Sequence, residues 1–274
     1  MAVQIPQGAT DVVFYLKASP SQAEADLDWP GPILLIGLDP VSMGLGCGGT
    51  DKYCSTAFSS MWQALRGPDG SVMDRLLAKY VKGVKVNRVA FLGFSAAHGF
   101  LNPMLNNDSD RARTSAVVMM DTCFGSGKTG FIKALQDAAA GKMLYATLTS
   151  HQSGMKVGSA GVLQSGTECF EQQVLAPSGL KAEPVAARPP MFEPKGGAWK
   201  IGESGFWLRG TDDAGHVDVA HYNLGSKQQR AMLEAYLLPY WKGDLGGVPW
   251  QMLLGGALAL GGAAAAYYIW SSRR

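Results

Sequence analysis

Four histidines and four cysteines among 274 residues leave the chain little material for a metal centre or a disulfide framework. No C-x-x-C pair occurs and no cysteine adjoins a histidine, so Cys47, Cys54, Cys123 and Cys169 read as unpaired thiols in a reducing compartment, with a Cys47–Cys54 bridge as the alternative. Charge of one sign is also lacking. The 24 basic residues against 22 acidic ones give a formal net charge of +2, and no basic stripe interleaved with aromatics appears, so no nucleic-acid partner is expected. The opening MAVQIPQGATD has neither a basic start nor an apolar run, and therefore predicts no export signal. No internal repeat is present.

What the chain does have is apolar residues, 47% of the total, enough for a sizeable core. Strand-like and helix-like segments alternate, as a mostly parallel sheet covered by helices requires. Residues 11–18 and 32–38 read as buried strands, followed by a glycine-rich loop over 44–49 and helices over 53–65 and 72–80. Further strands are expected at 115–121, 143–149 and 206–209, with helices around 131–140 and over 227–241. The stretch 176–205, with five prolines and five glycines, reads as an irregular excursion over the sheet edge. The fold class is α/β, with the domain at 1–242 and a linker at 243–247.

A single long run lacks charge altogether. Val248 to Trp270 is long enough to cross a bilayer and carries Trp250 near one end and Tyr267, Tyr268 and Trp270 at the other, where amphipathic rings prefer the interface. It reads as one membrane helix ahead of a short basic tail, 271–274, the alternative being a buried Ala/Gly-rich core helix. Gly255, Ala259 and Ala263 recur every fourth residue, a small-xxx-small face through which two such helices could self-associate. With no export signal, the domain is expected on the cytoplasmic side, although Arg273 and Arg274 after the span weigh against that orientation under the positive-inside rule.

The stretch VNRVAFLGFSAAH, residues 86–98, carries the chemistry. It reads as a buried strand running into a sharp turn with Ser95 at the apex, then a helix over 96–106. Gly93-Phe94-Ser95-Ala96-Ala97 departs from G-x-S-x-G only in its last residue. The alternative for Ser95 is a helix N-cap. A serine nucleophile needs a base, normally a histidine held by a carboxylate. His98 shares the helix after Ser95, His151 follows the strand ending at Thr149, and His216 and His221 lie in the loop after the last short strand. Asp121 ends the strand after the elbow unit.

The chain over about residues 10–242 resembles the α/β-hydrolase superfamily, through VAFLGFSAAHG, VVMMDTC, GHVDVAH and the order of strands and helices. That resemblance implies a Ser95, Asp121, His216 triad, with His221 as the reserve base. It also implies an oxyanion hole from the backbone N–H of Ala96 and of a residue after the first strand, Lys17, where this chain has Lys17-Ala18 in place of the family's common His-Gly. The implied activity is hydrolysis of an ester, thioester or amide acyl substrate, with no cofactor. Two other readings stand beside it. Gly125 to Thr129, GSGKT, looks like the end of a phosphate-binding loop, but position 122 is threonine where G-x-x-x-x-G-K-[ST] needs glycine. A catalytically silent hydrolase fold, serving as a cellular or viral membrane or assembly component, is the third. His216, Asp218 and His221 in one short loop are too few and too local to read as a metal site.

Overall fold

The computed structural model describes residues 10–16, 33–46, 55–124, 127–151, 156–157, 162–163, 165–191, 193–210, 212–213, 216–217 and 226–245. Strands β1 (Thr10–Leu16) and β2 (Ile33–Gly37) are followed by helices α1 (Ser55–Leu65) and α2 (Met73–Tyr80). Next come β3 (Val86–Phe94), a 3-10 turn (Ser95–Ala97), α3 (His98–Asn106), α4 (Asp108–Ala112), β4 (Ala116–Met120), α5 (Thr129–Ala139) and β5 (Leu144–Thr149). A two-residue ladder, β6 (Lys156–Val157) with β7 (Val162–Leu163), precedes α6 (Gly166–Phe170), which runs through a π-helical turn into α7 (Ala176–Ser178). Strands β8 (Ala182–Val185), β9 (Ala198–Ile201) and β10 (Gly205–Arg209) follow, then a second small ladder, β11 (Asp212–Asp213) with β12 (His216–Val217). The last helical stretch joins α8 (Ser226–Met232) to α9 (Leu238–Lys242) through another π-helical turn.

Eight strands form one sheet in the order β2-β1-β3-β4-β5-β10-β9-β8. The first six run parallel; β9 and β8 are antiparallel additions at one edge. β1, β4 and β5 are buried along their whole length, which is why they read as continuous apolar runs rather than alternating ones. Side chains alternate between two cores. Phe14, Phe91, Val117 and Tyr145 pack beneath α1, α2, α3, α5 and α6, whereas Tyr15, Leu92, Val118 and Leu148 pack beneath the 226–242 helix through Leu233, Tyr236 and Trp241. Arg88 fastens that helix to the start of the sheet: it pairs with Asp11 at 2.5 Å, donates to the Trp241 carbonyl at 2.6 Å and lies over the Trp241 ring.

Residues 176–205 are not an irregular excursion, because 182–185 and 198–201 extend the sheet. Proline disguised this: Pro184 sits in the outermost strand, the place where a missing N–H breaks no ladder. Cys123 and Cys169 are not free thiols. Their Cα atoms stand 5.6 Å apart and the sulfurs are bonded, joining the loop after β4 to α6 across 46 residues of chain. Spacing rules look for nearby cysteines, and this pair is brought together only by the sheet. Cys47 and Cys54 lie outside the described residues, as does 248–270; among the described residues no helix is long and apolar enough to cross a membrane.

Candidate active site

The strand order reverses between β1 and β3. β1 leads outward to β2, whereas the chain from β3 onward proceeds through β4 and β5 in the other direction. In such sheets the crevice beyond the carboxyl ends of the strands at the reversal is where ligands bind. Ser95 is the first residue past β3, at that point.

Its backbone is left-handed, with φ +50°, directly after Phe94 in extended conformation. That arrangement costs a non-glycine residue of order 1–3 kcal/mol and persists only where the surroundings enforce it. Gly93 supplies the room: a Cβ there would lie 2.5 Å from Leu101 Cδ1 and 3.1 Å from the Ala97 Cβ. Alanine in place of the final glycine of the pentapeptide is thus accommodated by the glycine at its start. The N-cap positions of the 3-10 turn and of α3 are Phe94 and Ala97, and no side chain caps either, so Ser95 is not a helix cap. Ser95 is half-buried, and Ala96 N–H lies in a first turn, where an N–H has no intrahelical acceptor.

Asp121 is the first residue past β4 and is fully buried, also left-handed at φ +49°. Its N–H donates to the Leu148 carbonyl at 2.7 Å, and its carboxylate accepts from Ser150 N–H at 2.9 Å and from Ser150 Oγ. α6 presses on it so closely that a Cβ at Gly166 would sit 1.7 Å from Asp121 Oδ1. A buried hydroxyl cluster fixes that contact. Thr167 N–H donates to the Ser150 carbonyl, the Thr149 and Thr167 hydroxyls meet at 2.9 Å, and Trp207 Nε1 donates to Thr149 Oγ1 at 2.9 Å. The Cys123–Cys169 bridge clamps the same two segments.

Of the remaining expected residues, His216 lies in β12, in register with Asp213 of β11 beyond the end of β10; its side chain is outside the described residues, and so are His221 and Lys17. β10 runs parallel to β5, so the chain leaves it at the same sheet edge as Ser95 and Asp121. His151, half-buried after Ser150, has a buried Nδ1 without a partner among the described residues.

His98 is a functional candidate that triad reasoning passed over, although its position three residues after Ser95 was visible. Its Nδ1 lies 3.2 Å from the Ser95 carbonyl, which can only accept, so Nδ1 carries the hydrogen. Burial, then the neighbouring Lys128 ammonium, push its pKa down to about 4, so the ring is neutral at pH 7. Lys128 is itself buried, which lowers its pKa to about 8, and its Nζ donates to the Phe124 carbonyl; no carboxylate pairs with it among the described residues. The lysine of GSGKT is thus turned into the protein. The N–H groups of Gly130 and Phe131 at the start of α5 are satisfied by Asn102 Oδ1, at 3.1 and 3.4 Å, instead of standing open for a phosphate. Among the described residues no three His, Cys, Asp or Glu side chains converge on a metal position.

No protein-family model, no curated protein and no solved structure matches this chain.

Proposed function

We propose that the chain is a serine hydrolase of the α/β-hydrolase type, acting on an ester, thioester or amide. The observation that carries this reading is Ser95: a serine forced into a left-handed turn at the end of a central parallel strand, uncapped, half-exposed and at the strand-order reversal. In this reading Ser95 Oγ attacks the acyl carbonyl while His216 takes its proton and Asp121 holds the imidazole. The Ala96 N–H and a second donor after β1, expected at Lys17, stabilise the oxyanion. His216 later returns the proton to the leaving group, and water releases the acyl chain by the same route.

The 248–270 segment remains part of the proposal as a membrane tether, the basic residues Arg273 and Arg274 beyond it, with Gly255, Ala259 and Ala263 as a face for self-association. The Cys123–Cys169 bridge favours placing the domain on the oxidising side of that membrane.

The test is a fluorophosphonate probe on the full chain. Ser95 Oγ should displace fluoride and be recovered as a phosphonylated peptide, and Ser95→Ala should abolish the label. Absence of labelling, with magnesium-dependent ATP binding lost in Lys128→Ala, would favour the nucleotide reading; absence of both, a silent scaffold.

A further inference from the structure

We propose that His98 is a positioning residue for Ser95, held in place by a brace that runs from α5 through the loop after β4. The inference rests on the serine-hydrolase reading. The left-handed conformation of Ser95 needs restraint, and its carbonyl is where restraint can act without touching the nucleophilic oxygen. That carbonyl accepts two hydrogen bonds from one residue: the His98 backbone N–H closes the 3-10 turn, and His98 Nδ1–H adds a second at 3.2 Å. Two bonds over-determine the orientation of the Ser95–Ala96 peptide, and so the direction of the Ala96 N–H, the candidate oxyanion donor.

The imidazole has a second neighbour besides Ser95. The Phe124 ring packs against it, with centroids 6.4 Å apart and planes inclined by 58°. Phe124 belongs to the loop that follows Asp121 and adjoins the bridged Cys123, and its carbonyl is held by the buried Lys128 ammonium, which also lies 5.8 Å from the Phe131 ring centre. A buried charge with no carboxylate partner among the described residues is expensive, and Lys128, at the N-cap of α5, places its ammonium on this loop. The brace therefore links the loop bearing the candidate acid to the turn bearing the candidate nucleophile. The neutral ring fits this role, because a second positive charge beside Lys128 would push the brace apart.

The experiment is saturation kinetics of fluorophosphonate labelling, which separates probe affinity from the rate of bond formation. His98→Leu removes the Nδ1 donor and should slow the bond-forming rate at least about tenfold with probe affinity unchanged. His98→Asn, whose side-chain amide nitrogen can take the place of Nδ1, should restore most of it. Equal rates in wild type and His98→Leu overturn this inference and leave the hydrolase reading standing. A wild type that does not label overturns both. Should His98→Leu fail to fold, the ring nitrogens of the wild type decide by NMR: the proposal requires hydrogen on Nδ1 and a bare Nε2 at pH 7, and the opposite tautomer sinks it.

Discussion

Phe94 and Met120 face each other across the β3–β4 ladder, and the next residue on each strand, Ser95 and Asp121, is left-handed, at φ +50° and +49°. Two adjacent parallel strands thus break at the same level, in the same uncommon way, with a hydroxyl on one and a buried carboxylate on the other. Strain of this kind at two neighbouring non-glycine residues concentrates at functional sites, which is why both are tested below.

Replacing Ser95 by glycine should separate strain from chemistry. Glycine takes positive φ freely, so Ser95→Gly should be more stable than Ser95→Ala by about 1 kcal/mol, while both lose all labelling. Urea unfolding of the two variants measures the difference. A less stable glycine variant would show that the left-handed turn is not a burden on the fold.

For Asp121, the isosteric Asn keeps the shape between Ser150 and Gly166 while removing the charge that would hold an imidazolium. Labelling should fall by roughly 10⁴-fold if the wrong imidazole tautomer is then held. Labelling near the wild-type rate would move the acid elsewhere. His216→Ala should abolish labelling, whereas His221→Ala and His151→Ala should not; the variant that does lose it identifies the base.

Much of this arrangement was legible in the chain. The runs VVFYL, VVMM and LYATLT announce strands buried on both faces, and the strand, serine and helix of residues 86–106 announce the elbow. What escaped depends on contacts between distant segments. Pro184 argued against a strand until the sheet made it an edge, and Cys123 meets Cys169 only once α6 is packed against the loop after β4. Asp110 lies in a polar stretch of sequence with nothing to mark it. It is fully buried, and its carboxylate accepts from Val72 N–H, Met73 N–H and Ser71 Oγ at the start of α2. Lys128 sat in a motif that promised phosphate contacts, and its burial could be seen only once α3 and α5 were packed.

Stability should depend on pH through His98. Its folded pKa of about 4 lies below the unfolded value of 6.5, so as pH falls the unfolded chain takes the proton first. The contribution is therefore complete above pH 6.5 and lost progressively by about pH 4, on the order of 3 kcal/mol over that window. Unfolding free energies measured from pH 7.5 to 4 should show this slope, and His98→Asn should flatten it. An unchanged slope would assign the acid sensitivity to other groups.

Asp110→Ala should destabilise the domain by about 2–4 kcal/mol, because two N–H groups and a hydroxyl at a buried helix start lose their acceptor. Asp110 lies on α4, far along the chain from α2, so the loss should appear as cooperative global unfolding rather than fraying of one helix. A midpoint shift in urea with an unchanged slope checks this, and a loss below about 0.5 kcal/mol would contradict it.

The Cys123–Cys169 bridge can be tested in the native protein. A bridge closing a loop of this length stabilises by about 4 kcal/mol on chain-entropy grounds, and both sulfurs are buried, so the oxidised form should dominate wherever the surroundings permit it. Thiols blocked before lysis and peptides mapped without reductant should yield Cys123 joined to Cys169 from the native source, and Cys123→Ser with Cys169→Ser should lower the midpoint of thermal unfolding. If the native peptides emerge singly alkylated, the domain faces a reducing compartment. In the same preparation the full chain should need detergent for extraction and a version ending at Asp244 should not. Detergent-free extraction of both would make 248–270 a core or partner helix, and the bridge would then report on a soluble compartment instead of one face of a membrane.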